Sequence, residues 1–156
     1  MTKLIVKKSR IAGLGLWAGQ KIRKGQKIIE YIGEKINKIE AKKRERAKKD
    51  TYLFYLNSHY DIDAMNVYNE ARYANHCCLP NAQVKYKGNH IYIYALKTIQ
   101  KGTEITFDYE LISPKIIKCK CGAINCRGYQ NETDKIKKLK RKQYANRRLV
   151  HTSKKN

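Results

Sequence analysis

Residues Arg72–Asn81 read RYANHCCLPN, and the reading of the chain turns on them. An Asn-His pair, two cysteines and a Pro-Asn turn are crowded together. Asn75 and His76 are neighbours, so on a regular strand their side chains would point to opposite faces. A bend would bring both to one pocket, and Pro80-Asn81 is a turn signal placed to supply it. The plainer reading is a polar loop that precedes a strand. Short motifs recur by chance, so the flanking sequence has to decide.

Downstream, Ala82–Leu96 alternates apolar and polar residues around Lys87-Gly88-Asn89, the pattern of a β-hairpin. A turn ending at Gly102 leads into TEITFDYE, residues 103–110. Upstream, residues 51–64 read TYLFYLNSHYDIDA and predict two paired strands with a turn near Asn57-Ser58. Tyr52 and Phe54 read first as core aromatics. Before them, NKIEAKKRERAKK (37–49) predicts a short, exposed, very basic helix. Asn37 is a suitable N-cap with Glu40 three residues on, and Glu40/Arg44 and Glu45/Lys49 are spaced as i,i+4 ion pairs.

At the N-terminal end, Lys3–Lys8 predicts a short edge strand and Ile28–Ile32 a further strand. Between them Gly13 and Gly15 flank Leu14. Such glycines either let backbone approach a ligand or simply turn a hairpin. They are no dinucleotide fingerprint, because the third spaced glycine and a following amphipathic helix are missing. At the other end CKCGAINCRG (119–128) sets three cysteines close together. Cys-x-Cys does not readily bridge itself, and three thiolates suit a metal clamp that needs one more ligand for a closed tetrahedron; free reduced thiols are the other reading. Residues 131–156 form a basic tail with ten Lys or Arg against two acids, where Thr133 could cap a helix carrying Ile136 and Leu139.

The 156 residues suffice for one domain with a real core. Lys and Arg number 35 against 13 Asp and Glu, a net charge of +22, which favours polyanionic partners and salt-dependent binding. No apolar run is long enough for a membrane helix. MTKLIVKKSR has no secretory core. A reducing compartment is therefore expected, and the odd count of five cysteines argues against a closed disulfide set.

Taken in order, these segments resemble the SET-domain lysine methyltransferases over residues 3 to 129. Four motifs carry the resemblance. They are the Gly-x-Gly opening of Gly13–Ala18, the Asn-His-Cys loop with Cys77 in place of the usual serine, the Phe-Asp-Tyr segment, and the terminal cysteine cluster. The matching of Glu30–Glu34, Tyr52–Phe54 and Tyr60–Ala64 supports them. Thr103 replaces a more usual glutamate, and Ile117 stands where many members carry an aromatic residue that packs on adenine, a place Tyr129 could fill.

The resemblance implies a mainly β SET-domain fold: small twisted β-sheets with a C-terminal pseudoknot, short helices and a post-SET zinc loop. It divides the chain into a SET domain (1–113, with an insert at about 36–64), a post-SET zinc segment (114–130) and the basic tail (131–156). It implies methyl transfer from S-adenosylmethionine to a lysine. Tyr109 would be the catalytic tyrosine, with Tyr31 and Phe107 lining the lysine channel. Gly13, Leu14, Gly15, Tyr60, Asn75 and His76 would hold the cofactor. Cys78 would join Cys119, Cys121 and Cys126 on zinc. Phe107, at a position that is Phe or Tyr in the family, implies a di- or trimethylating enzyme.

The expected partner is a histone or another chromatin or ribosomal protein, with nucleic acid held by the basic insert and tail, and no membrane. The expected location is cytoplasmic, nuclear or on chromatin (in a host nucleus, were the source a pathogen), without conventional secretion. Two alternatives are an inactive SET-like binding module and a nucleic-acid-binding zinc protein. The intact Tyr109, Asn75, His76 and four cysteines weigh against the first, and the idle Phe-Asp-Tyr segment against the second.

Overall fold

A computed structural model of the chain describes residues 2–47, 51–111 and 116–131. Ten short strands form three small sheets. The first sheet holds β1 (Leu4–Lys8), β2 (Leu14–Ala18), β10 (Glu104–Phe107) and β7 (Asn75–His76), in the order β1-β2-β10-β7. The second holds β3 (Lys27–Tyr31), β9 (His90–Ala95) and β8 (Ala82–Lys87), in the order β3-β9-β8. The third holds β4 (Glu34–Asn37), β6 (Tyr60–Asp63) and β5 (Leu53–Tyr55), in the order β4-β6-β5. Helix α1 spans Lys38–Ala47, and a 3-10 turn covers Glu70–Tyr73.

The local signals explain most of these elements. In β9 Ile91, Ile93 and Ala95 are buried while His90, Tyr92 and Tyr94 are not, a clean period of two. The β8–β9 loop needs a left-handed residue, and Gly88 supplies it at φ 58°. Gly33 has a different reason. A Cβ there would lie 2.4 Å from the Asp63 carbonyl oxygen, so only glycine lets this backbone run beside β6. At the start of α1 the Glu40 N–H donates to Asn37 Oδ1 at 2.9 Å, as a capping residue should. The reciprocal bond is not made, because the Glu40 carboxylate turns to Arg44 Nε at 2.9 Å. Arg44 also reaches Glu34 and the nearly buried Asp63. Lys49, Thr133 and the tail lie outside the described residues.

The core is built from all three sheets, with Leu16, Ile22, Ile91, Ile93, Ile99 and Ile105 fully buried. The segment after β7 is fastened to β10 by one side chain acting as a surrogate strand. Asn81 Nδ2 donates to the Glu104 carbonyl at 2.7 Å, and its Oδ1 accepts the Thr106 N–H at 2.9 Å. Asn81 is 8% exposed. Removing its amide would leave two backbone groups buried without partners, each costing about 1–3 kcal/mol. Asn81→Ala is therefore expected to lower stability by about 2–6 kcal/mol, measured as a fall in the urea midpoint with little change in slope.

Candidate active site

The site grows from five consecutive residues, 74 to 78. The Ala74 carbonyl accepts the Tyr109 hydroxyl at 3.0 Å. Asn75 Nδ2 donates to the carbonyls of Ala12 (3.3 Å) and Leu14 (3.1 Å) and to Glu104 Oε1 (2.9 Å). His76 Nδ1 accepts the Tyr109 backbone N–H at 3.2 Å. The Cys77 N–H donates to the Phe107 carbonyl at 3.0 Å. Cys78 joins the cysteine cluster. The parallel pairing of Thr106 with Asn75 and Phe107 with His76 makes these contacts possible.

Beside this segment lies a cavity of about 280 Å³. Tyr31, Tyr52, Phe54, Tyr55, Tyr86, Phe107 and Tyr109 give it seven aromatic walls, with Arg72 and Glu110 at its polar edge. Phe54 links the rings, 4.8 Å from Tyr31 and stacked 5.7 Å from Phe107, and Phe107 lies 4.9 Å from Tyr109. The Tyr31 hydroxyl donates to the Tyr52 carbonyl at 2.7 Å. Burial pushes the phenols of both Tyr31 and Tyr109 well above the ordinary tyrosine range. Both therefore stay protonated at neutral pH. They orient groups and donate hydrogen bonds, but are unsuited to taking up a proton as a base.

His76 is 2% exposed. Burial holds its imidazole below the ordinary histidine range, although Asp108 pulls the other way. With Nδ1 accepting from Tyr109, the hydrogen belongs on Nε2, which faces Cys78 Sγ at 3.4 Å. His76 thus contacts both Tyr109 and Cys78.

The sulfurs of Cys78, Cys119, Cys121 and Cys126 lie within 4.8 Å of one another. A tetrahedron with zinc–sulfur bonds of about 2.3 Å has edges of about 3.8 Å. The Cys78 sulfur stands 3.7 Å from that of Cys119 and 3.8 Å from that of Cys126, so the donor set fits zinc. Burial raises the Cys78 and Cys119 thiols. Cys121 is also disfavoured by burial, but hydrogen bonds from the backbone of Cys78 and Ala123 outweigh it and bring it to about 6. Cys77 stays outside the cluster. Its sulfur bonds the Leu79 backbone, a local structural task for the residue in the serine's place.

An ion pair joins the two halves of the site. Arg127, next to Cys126, makes a two-pronged contact with Asp108, with Nη2 to Oδ1 at 2.6 Å. Burial works against the Asp108 charge, but Arg127 outweighs it and holds the carboxyl below the usual carboxylate range.

The structure brings Tyr31, Phe107 and Tyr109 to one cavity, and ties Gly13–Gly15 to Tyr109 through Asn75 and His76. It does not bring Tyr60 there. Tyr60 pairs with Asn37 at the end of β6, its ring under the Lys35 ammonium at 4.2 Å. Tyr52 and Phe54 pack on the core as expected, and they also wall the cavity. Sequence reasoning missed Arg72 and Arg127. Arg72 donates to the carbonyls of Ala64 and Met65 and to the Tyr73 hydroxyl, against the rings of Tyr52 and Tyr73. Its place in the opening stretch was the available signal.

The cysteine geometry yields a direct test. Purified protein should carry one zinc per chain, and a chelator should lower its melting temperature by about 5 °C or more. Cys126→Ser should do the same without chelator. Elemental analysis and thermal unfolding check this, and five freely titrating thiols in a fully stable, metal-free protein would contradict it.

Residues 13–110 match the family model described as SET domain. The chain is 42% identical over 134 residues to histone-lysine N-methyltransferase set-2 of Caenorhabditis elegans, covering 80% of this chain and 9% of that protein. It is 41% identical over 133 residues to the histone-lysine N-methyltransferase, H3 lysine-4 specific, of Schizosaccharomyces pombe, covering 79% and 14%. To trithorax of Drosophila melanogaster, a histone-lysine N-methyltransferase, it is 38% identical over 133 residues, covering 80% and 4%. The chain thus spans less than a sixth of the length of each of these relatives. Its matched residues, cavity and cysteine cluster agree with one another, and the chain belongs to the SET-domain family.

Proposed function

We propose that this chain transfers methyl groups from S-adenosylmethionine to the ε-amine of a protein lysine, and that it makes di- or trimethyllysine. The carrying observation is the aromatic cavity that ends on Tyr109. A lysine side chain placed in it trades water for ring faces. Desolvation disfavours the ammonium and lowers its pKa from about 10.4. The Arg72 guanidinium in the wall adds a like charge that acts in the same direction. The amine that results is the nucleophile.

The residues present fit S-adenosylmethionine. Gly13 sits at φ 44° with nothing within 4 Å of where a Cβ would be, so open space borders that backbone. Leu14 is 47% exposed, an apolar side chain available to cover a ligand. Asn75 fixes the loop by gripping the carbonyls on either side of Gly13. Gly13, Leu14 and Gly15 would hold the methionine end, with Asn75 and His76 beside the adenosine. When bound, the cofactor supplies an electrophilic methyl group on a sulfonium. Tyr109, held by Ala74 and His76, orients the amine from the protein side, and such alignment supplies much of the rate. Cys78, Cys119, Cys121 and Cys126 would hold zinc as a closed structural site, with no part in the chemistry.

The relatives' names favour a histone as substrate and chromatin in a nucleus as the setting; another chromatin or ribosomal protein is the alternative. The exposed Lys42, Lys43 and Arg46 of α1 could dock a polyanion. Arg44 could not, because three carboxylates already hold it.

Labelled cofactor, recombinant histones and ribosomal proteins, and mass spectrometry of the products test this reading. Tyr109→Phe keeps the ring and loses the hydroxyl bond to Ala74, and should lower kcat by about 100-fold. Phe107→Tyr puts a hydroxyl in the channel, where it can hold a water in the space of an added methyl. Its product should shift to monomethyllysine at similar total turnover. A wild type that neither binds the cofactor nor transfers methyl would instead leave a SET-like binding module.

A further inference from the structure

We infer that the outer face of the β3-β9-β8 sheet is a binding platform for single-stranded nucleic acid. The alternation in β9 that buries Ile91, Ile93 and Ala95 turns His90, Tyr92 and Tyr94 to the opposite face. Their rings form a continuous ladder along the strand. His90 and Tyr92 are nearly parallel at 6.0 Å, and Tyr92 meets Tyr94 edge-on at 6.4 Å. The register sets lysines around it, with Lys87 opposite His90, Lys85 opposite Tyr92 and Lys27 opposite Tyr94. The Lys27 ammonium lies 5.2 Å from the Tyr92 ring and the Lys85 ammonium 5.0 Å from the Tyr94 ring.

Tyrosine is common on strands, and one outward ring would mean little; on this face His90 is exposed and Tyr92 and Tyr94 are half-buried. Here three successive outward positions of one strand carry rings in mutual contact, and lysines hover over two of them. The face also carries one carboxylate, Glu30, which is held by His90 Nδ1 at 2.6 Å. Three lysines against that single acid leave the face cationic, in a chain of net charge +22. Charge complementarity therefore points to a polyanion, and the rings select one whose bases are free to stack. Duplex bases are not. An arriving base would displace an ammonium from its ring, and the freed lysine would meet the neighbouring phosphate. Stacking on aromatic side chains beside such a basic rim is how sequence-tolerant single-strand binders work. The platform backs onto the candidate active site. Tyr31 of β3 and Tyr86 of β8 belong to the cavity side of the same sheet.

The test needs no methyl transfer and so stands apart from the proposed enzyme. Fluorescence anisotropy would follow the full chain binding a labelled oligouridine, an oligothymidine and a duplex, each of about 12 nucleotides or base pairs. The double variant Tyr92→Ala, Tyr94→Ala should bind both single strands at least tenfold more weakly and leave duplex binding unchanged. Tyr92→Phe, Tyr94→Phe keeps the ring faces and should bind like wild type. Lys85→Gln, Lys87→Gln should reduce the single-strand salt slope by about 1.4. Loss of binding to either single strand in the alanine variant supports the platform, and the strand that wild type binds more tightly names its source. Photocrosslinking of wild type covers the case of an alanine variant that does not fold, and the adducts should map to residues 90–94. Alanine variants that fold and bind unchanged, equal losses on single strands and duplex, or adducts confined to α1 would each overturn the inference.

Discussion

Everything at the candidate site depends on a two-residue pairing between segments about thirty residues apart. Thr106 and Phe107 lie parallel to Asn75 and His76. Parallel pairs need a long crossover, and here the β8–β9 hairpin fills it. Once β10 is in place between β2 and β7, one backbone stretch meets the loop at Gly13, the ring of Tyr109 and the sulfur of Cys119. The pairing itself is too short to be stable alone. Asn81 extends it by bonding the backbone of Glu104 and Thr106, and Glu104 completes it by accepting from Asn75. Asn75, Asn81 and Glu104 thus satisfy one another and the neighbouring backbone in a buried place, where leaving a group unsatisfied is costly.

The same economy explains how the cysteine segment is attached. Little apolar surface is at work there, and Ile124 is 92% exposed. Sulfur geometry and the Asp108–Arg127 pair take the place of a core. Each has one end in the 119–131 segment and the other just past a strand of the first sheet, at Cys78 after β7 and Asp108 after β10. His76 touches both systems, through Cys78 on one edge of the ring and Tyr109 on the other. The cysteine cluster and the candidate active site therefore share one imidazole.

Much of this was legible in the sequence, but unevenly. The β8–β9 hairpin could be read because its information is local: a period of two and a glycine where the turn needs positive φ. The Asn37 cap was legible for the same reason, while its expected return bond from Glu40 was not, since Arg44 is a stronger partner and is itself drawn by Glu34 and Asp63 from other strands. The cysteine cluster could be read as a clamp from its spacing, and its fourth member only through the family resemblance. The structure places Cys78 among the other three. Asn81 read as a turn residue, and nothing local shows that its amide substitutes for a strand. Arg72 and Arg127 were silent because their partners lie elsewhere in the chain. Tyr60 matched a motif yet sits at the rim of β6, away from the cavity. Residues whose meaning is set by neighbours in sequence were readable, and those set by neighbours in space were not.

The late position of β10 and the cysteines bears on how the chain is made. Synthesis releases residues 74–78 well before residues 104–131 exist. Until then Asn75, His76 and Cys78 have none of the partners they take from β10 and the cysteine segment. Local strands and the β8–β9 hairpin can form first, but the non-local closure has to wait. A ribosome that stops between Ala95 and Glu104 therefore yields a chain with β1 to β9 but without β10 and the cysteine segment. Such a fragment presents β2 and β7 without the strand that lies between them, which leaves unpaired edges open to pairing with another chain.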